Sequence, residues 1–371
     1  MLLLYILLAL FFLYGLIVIW YWIGWVKIPL YQDSGTLPSV KVSVIIPARN
    51  EEENIGPLLD ALTLQDYPPG LTEIIVVDDH SSDATAGIVR KFPGIRLISL
   101  AAENINSYKK KAIETGIAAA SGEFILTTDA DCIPPKGWIK QMVSFAMEKN
   151  AVFIAAPVLM KSNSSLLQVF QSMDFMVLQA ITGAVVHSKQ MSMCNGANIA
   201  YSKEAFYKAG GFGGIDEIAS GDDMLLMYKI WKQNPSGVHY LKSKEAIVTT
   251  LPQTTWKDFF NQRIRWASKA TKYEDKRLFP VLLLVYLFNL GFGVILVAVF
   301  ICAAYWKWLL IFWAAKTLVE LPLFITSAKF FNRLSTVKWF FLFQPLHILY
   351  TLFSGLLSRF GKYEWKGRRV K

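Results

Sequence analysis

The sequence predicts an α/β fold with a mixed, mostly parallel sheet, set between apolar helices at the two ends of the chain. Two observations predict it. Between about residues 38 and 275, β-branched apolar runs alternate with helical stretches, the pattern of a sheet covered on both faces. The chain is 54% hydrophobic and only 18% charged, and the apolar excess is gathered into long runs outside that region. The expected division is an N-terminal membrane anchor at 1–27, one domain at 38–275, an apolar region of two or three helices at 278–360 and a basic tail at 361–371.

Residues 2–26 carry no charge, which is enough chain to cross roughly 30 Å of hydrocarbon at about 1.5 Å per residue. A secretory signal would open with basic residues and end in a small-residue cleavage site. Here the first charge is Lys27, after the run, so a retained anchor is expected. The first β-branched run, Val42 to Ile46, leads through a polar turn into a helix near Ile55 to Leu62. A second strand at 73–77 repeats this, with a helix near Thr85 to Lys91. Then come the strand IRLISL, the helical KKKAIETGIAAA and the strand EFIL.

Apolar runs at about 280–303, 308–326 and 339–358 predict further membrane helices. Lys27 and Lys41 before the central domain, and Lys269, Lys272, Lys276 and Arg277 after it, favour the cytoplasmic side for that domain. The basic tail conflicts with this if every run spans, so 339–358, where Pro345 and His347 interrupt the apolar pattern, is expected to lie in the interface or fold back. The stretch 161–190 suits an interfacial helix and a core helix equally.

Several function classes fall away. A net charge of +10 suits phosphate binding, but basic residues beside apolar spans meet anionic lipid, and no nucleic-acid-binding signature is present, so no nucleic-acid partner is expected. Cys132, Cys194 and Cys302 are far apart with no CxxC, and the four histidines lack ligand spacing, which argues against disulfides and zinc. Neither GxxxxGK[ST] nor GxGxxG occurs, so a phosphate must be held by other means.

Polar residues gather where strands end. Pro47, Arg49, Asn50 and Glu51 follow the first strand, Asp78 and Asp79 the second, and Asp129 and Asp131 the run EFIL. Sheets of this kind bind ligands beyond the carboxyl ends of their strands. Two carboxylates one residue apart suit a hard cation that also takes diphosphate oxygens, although a solvated turn carries DxD as well. Asp222 and Asp223 open a helix in SGDDMLL, where acids favour the helix dipole or could supply a base. Gln262, Arg263, Arg265 and Trp266 lie on one helix. Arginine matches diphosphate and tryptophan a sugar or base, but both are common at membrane surfaces.

In this order, VSVIIPARNEE, VVDDHSSD, TDAD, GDD before MLL, and QRIRW resemble the membrane-anchored family 2 glycosyltransferases, the branch with cellulose, chitin and hyaluronan synthases and ceramide glucosyltransferases. The resemblance covers about 40–270 and implies a GT-A, Rossmann-like fold. It implies an inverting transfer from a nucleotide-sugar donor, a UDP-sugar above all, to a membrane lipid or glycan. Pro47, Asn50, Glu51 and Asp79 would line the nucleoside pocket, with Lys111 near the nucleotide. Asp129 and Asp131 would carry Mg2+ or Mn2+, Asp223 would be the general base, and Asp222 stands where many members have Glu. Gln262, Arg263, Arg265 and Trp266 would serve the diphosphate and acceptor end. The expected setting is the plasma or inner membrane, with the central domain in the cytoplasm. Competing readings are a processive polysaccharide synthase, a sugar nucleotidyltransferase and an inactive membrane scaffold; the small number of spans favours a lipid acceptor.

Overall fold

The computed structural model describes residues 2–33, 35, 38–101, 107–162, 165–218, 221–269, 273–358, 363–365 and 368–370. Lys272 and tail residues 361, 362, 366, 367 and 371 lie outside the described residues. In chain order the elements are α1 (Leu2–Lys27), β1 (Val42–Ala48), α2 (Ile55–Thr63), β2 (Thr72–Asp78), α3 (Thr85–Val89), β3 (Ile95–Ser99), α4 (Tyr108–Ala119) and β4 (Phe124–Thr127). There follow α5 (Trp138–Lys149), β5 (Phe153–Ala155), β6 (Val158–Met160), α6 (Leu166–His187), β7 (Ile199–Ser202), α7 (Lys203–Lys208), α8 (Asp222–Gln233), β8 (Val238–Tyr240) and β9 (Val248–Thr250). The last stretch holds α9 (Trp256–Ala267), α10 (Leu278–Ile301), α11 (Tyr305–Phe330), α12 (Val337–Leu357), β10 (Tyr363–Trp365) and β11 (Arg368–Val370).

The chain forms two compact units. One is α/β and comprises Pro29–Lys161, Val186–Leu251 and Glu364–Lys371; the other is helical and comprises Met1–Ile28, Ser162–Val185 and Pro252–Tyr363. Residues 162–185 and 252–275 therefore depart from the expected single domain at 38–275 and group with the terminal helices. Packing explains this. Phe259 of α9 is buried with Leu167 and Phe170 of α6, and an added Cβ at Gly24 of α1 would lie 3.0 Å from Ala184 Cβ of α6.

In the α/β unit the sheet runs β3-β2-β1-β4-β7-β5-β8. Strands β3, β2, β1 and β4 are parallel, and β7 is antiparallel to both β4 and β5. The sheet is thus mixed and mostly parallel, as expected. Helices cover both faces, so the central strands are apolar almost throughout: Val44, Ile45, Ile46, Ile75, Val76, Val77, Ile125 and Leu126 are all buried. Ala48 pairs with Asp78 at the carboxyl ends of β1 and β2, which brings the polar residues after these strands to one edge. Two glycines permit the packing around β1. A Cβ on Gly116 of α4 would lie 2.5 Å from Ile45 Cγ2, and one on Gly122 would lie 2.6 Å from the backbone of Val42 and Ser43.

The helical unit has its own core, with Leu7, Tyr14 and Val18 of α1 packed with Phe288, Phe292 and Ile295 of α10, Phe312 of α11 and Ile348 of α12. Outward, α1, α10, α11 and α12 expose large apolar side chains such as Phe12, Leu16, Val297, Phe300, Leu318 and Leu342. Apolar area on that scale marks a surface made for something other than water. Among the described residues, five helices are long and apolar enough to cross a membrane: α1, α6, α10, α11 and Leu334–Leu357, which contains α12. Of these, α6 is mostly buried, so Leu166–His187, within the stretch 161–190, is an interior helix. The segment 339–358 does not fold back on itself up to Leu357, because α12 runs as one helix through Pro345 and His347.

Candidate active site

The loops after β1 and β2 are laced together by short polar side chains. Asn50 takes a left-handed conformation (φ 50); its Oδ1 accepts Ser82 N–H at 2.9 Å, and its own N–H donates to Ser81 Oγ at 3.0 Å. Glu51 N–H donates to Thr85 Oγ1 at 2.8 Å, and Glu51 Oε2 accepts Asn54 Nδ2 at 2.8 Å. Asn50 and Glu51 thus build the loop pair, whatever else they touch. Asp79 is buried directly after the end of β2. Its N–H donates to Ala48 O at 2.8 Å, its Oδ1 lies 3.0 Å from His80 Nδ1, and Arg49 Nη1 is 3.8 Å from the same oxygen. Beside it, Asp78 Oδ1 is buried with no hydrogen-bond partner among the described residues.

The next strand end gathers charge. Asp129 follows β4, and Lys109 Nζ of α4 lies 2.6 Å from its Oδ1 and 3.5 Å from Asp222 Oδ2. Burial works against the Lys109 charge, but Asp129, then Asp222 and Asp223, outweigh it and hold the ammonium well above the usual lysine range. The three consecutive lysines point three ways, as a turn of about 100° per residue requires. Lys110 is buried and donates to Ile215 O at 2.9 Å. Lys111, the lysine singled out from sequence, is exposed and pairs with Glu114 at 2.7 Å, whereas Lys109 is the one of the three that lies beside Asp129. Nothing in the KKK run distinguishes the three; the phase of α4 against β1 does.

Asp222 and Asp223 open α8 behind Gly221, itself left-handed at φ 80. Asp223 Oδ2 accepts Gly196 N–H and Oδ1 accepts Met224 N–H, both at 2.8 Å. Each carboxylate oxygen has two lone-pair sites, so neither of these bonds saturates its oxygen. Gly196, which sequence reading passed over within a Gly-rich turn, sits in the middle of the group: a Cβ there would meet Asp222 Oδ2 and Lys109 Nζ at 3.4 Å and Asp223 Cβ at 3.5 Å. Asn198 anchors this turn, accepting Trp138 Nε1 at 2.8 Å and donating to Pro157 O and Ala246 O, each at 2.8 Å. Burial, then Asp223 and Asp222, push the nearby Cys194 thiol well above its usual pKa.

Gln262, Arg263, Arg265 and Trp266 lie on α9 in the helical unit. Thr255 starts that helix by accepting Asp258 N–H at 3.1 Å and donating to Asp258 Oδ2 at 2.6 Å. Arg263 is buried and ion-paired with Asp174 of α6, Gln262 Oε1 is buried with no hydrogen-bond partner among the described residues, and Arg265 and Trp266 are half-buried.

Among the described residues, no cluster of three or more His, Cys, Asp or Glu could hold an ion. Asp129 and Asp131 provide two half-buried carboxylates. That donor set fits a hard cation that completes its shell with substrate phosphate and water, and does not fit a cage built by the protein alone.

A family model described as glycosyl transferase family 2 matches residues 43–210. The probable glycosyltransferase YdaM of Bacillus subtilis (strain 168) is 31% identical over 234 residues, covering 61% of this chain and 54% of that protein. The beta-monoglucosyldiacylglycerol synthase of Synechocystis sp. is 29% identical over 120 residues, 31% of this chain and 25% of that one. The chain thus spans about half the length of the first relative and a quarter of the second. Among solved structures, the mannosyltransferase PcManGT from Pyrobaculum calidifontis, in complex with GDP-Man and Mn2+, matches with a TM-score of 0.58 at 19% identity, over 92% of this chain and 97% of that one. At that identity the likeness is one of fold, the GT-A fold that the motif order implied.

Proposed function

We propose, from the match of residues 43–210 to the glycosyl transferase family 2 model, that the chain moves a sugar from a nucleotide-sugar donor to a hydroxyl of a membrane lipid, with inversion at the anomeric carbon. The observation that carries this reading is the grouping of Lys109, Asp129, Asp222 and Asp223 around Gly196 in the α/β unit.

Asp223 is the base: oriented by Gly196 N–H and Met224 N–H, it accepts the proton of the attacking hydroxyl. Attack on the face opposite the departing diphosphate inverts the centre in one displacement, so one base suffices, whereas a glycosidase needs two opposed carboxylates. Lys109 holds a fixed positive charge against Asp129, where negative charge grows on the leaving group. A divalent cation bound by Asp129 and Asp131 would neutralise that leaving diphosphate. Asp79, at the edge shared by β1 and β2, is the side chain we assign to the nucleobase.

The lipid acceptor is supported by the exposed apolar faces of α1, α10, α11 and α12 and by a diacylglycerol-glucosylating relative. The positive residues flanking the α/β segments favour the cytoplasmic side for catalysis. Membranes bearing the protein, given labelled nucleotide sugars with Mg2+ or Mn2+, should place label in the organic-soluble fraction. Label in a water-soluble polymer would instead make the chain a processive synthase.

A further inference from the structure

Inside the helical unit a chain of polar and ionisable side chains joins five helices, and sugar transfer as described above does not use it. At one end is Asp174 of α6, whose side chain is 5% exposed. Its Oδ2 lies 2.8 Å from Arg263 Nη2 of α9. Its Oδ1 accepts the Tyr350 hydroxyl at 2.7 Å and lies 3.8 Å from His347 Nε2, both on α12. His347 Nδ1 is 3.5 Å from Lys316 Nζ of α11. Lys316 pairs with Glu320 at 2.7 Å and donates to Gln344 Oε1 at 2.6 Å. Glu320 in turn accepts Gln344 Nε2 at 2.6 Å and the hydroxyl of Tyr14 on α1.

Ionisable side chains in apolar helices are costly, and they persist where they are paired and useful. These alternate in sign, from Arg263 through Asp174 to Lys316 and Glu320. His347 links the two halves of the chain, its Nδ1 toward Lys316 and its Nε2 toward Asp174. The Arg263 guanidinium, 3% exposed, also lies 4.4 Å from the Trp266 ring, 5.1 Å from Phe259 and 5.5 Å from Tyr350. Three rings and a carboxylate surround the group that the motif alone would assign to a diphosphate.

We propose that Asp174 is the positioning residue of the QRIRW helix, with Arg263 acting as its buried counter-ion within the helical unit and not as a ligand of the donor diphosphate. This uses the transfer reading only where turnover is measured. A charge left alone in a buried pair is strongly destabilising, whereas removing both partners is nearly neutral, so a double-mutant cycle separates the roles.

The test uses the full chain in detergent micelles as wild type, Asp174→Asn, Arg263→Met and the double variant, together with the milder Tyr350→Phe. The thermal midpoint, the dissociation constants of UDP and GDP, and kcat and KM for the donor are measured. Each single charge variant should lower the midpoint, and kcat by about tenfold, with donor KM and nucleotide affinity within about twofold; the double variant should recover most of the midpoint. Tyr350→Phe should lower kcat severalfold at unchanged midpoint and KM, a split that loss of fold alone does not give, and it reports even where a single charge variant does not fold. An Arg263→Met protein with normal midpoint and nucleotide affinity weakened tenfold or more, not improved by Asp174→Asn, would overturn the assignment. If the wild type transfers no sugar, the transfer reading fails, while the midpoint cycle still decides whether Asp174 and Arg263 act as a pair.

Discussion

Asp223 is the residue we propose for the proton-accepting role, because two backbone N–H groups at 2.8 Å orient its carboxylate. Asp223→Asn keeps the shape and removes the base, so turnover should fall by about 10²–10⁴-fold with donor affinity retained; unchanged turnover would take the role from this residue. Asp129→Ala with Asp131→Ala should abolish the dependence of donor binding on Mg2+ or Mn2+, measured by titrating nucleotide with and without chelator. The lysines give a sharper contrast. Lys109 touches Asp129 and Asp222, whereas Lys111 is exposed and paired with Glu114. Lys109→Gln should cut kcat/KM by about tenfold or more, and Lys111→Gln by less than about twofold, since an exposed pair contributes little.

At the scale of elements, β1, β2 and β4 with α2 and α4 were legible in sequence almost to the residue, because apolar runs bounded by polar turns announce strands buried on both faces. The strand-end aspartates came with them. What escaped depends on phase and on distant partners: which of three consecutive lysines faces Asp129, the turn at Gly196, and Asp174, whose partners lie far along the chain on α9 and α12. Lys316 and Glu320, four residues apart in an apolar run, were the available sign of the buried chain. Glycine contacts give a test at this scale. Gly122→Ala would set a methyl 2.6 Å from the backbone of β1, which cannot yield, and Gly116→Ala one 2.5 Å from Ile45 Cγ2. Both should lower stability in denaturant titrations by on the order of 1–3 kcal/mol, with Gly122→Ala the worse.

Across the whole molecule, two units with different cores carry two kinds of demand: the α/β unit presents acids and a lysine at the ends of its strands, and the helical unit offers apolar faces and a closed internal charge chain. Acid should weaken the α/β unit through His239, where burial, then Lys189, depress the imidazole to about 4. The folded value lies below the unfolded one, near 6.5, so the contribution is complete above about pH 6.5 and is lost as pH falls toward 4. His239→Asn should flatten the thermal midpoint across that window. The most direct measurement of the whole is the anomeric configuration of the product made from an α-linked nucleotide sugar carrying 13C at its anomeric carbon, read by the one-bond carbon–proton coupling alongside the nucleotide released. Direct displacement with Asp223 as base predicts a β-linked product, one nucleoside diphosphate per sugar, and product formation by Asp223→Asn slowed by about 10²-fold or more; an α-linked product, or release of pyrophosphate, would contradict it.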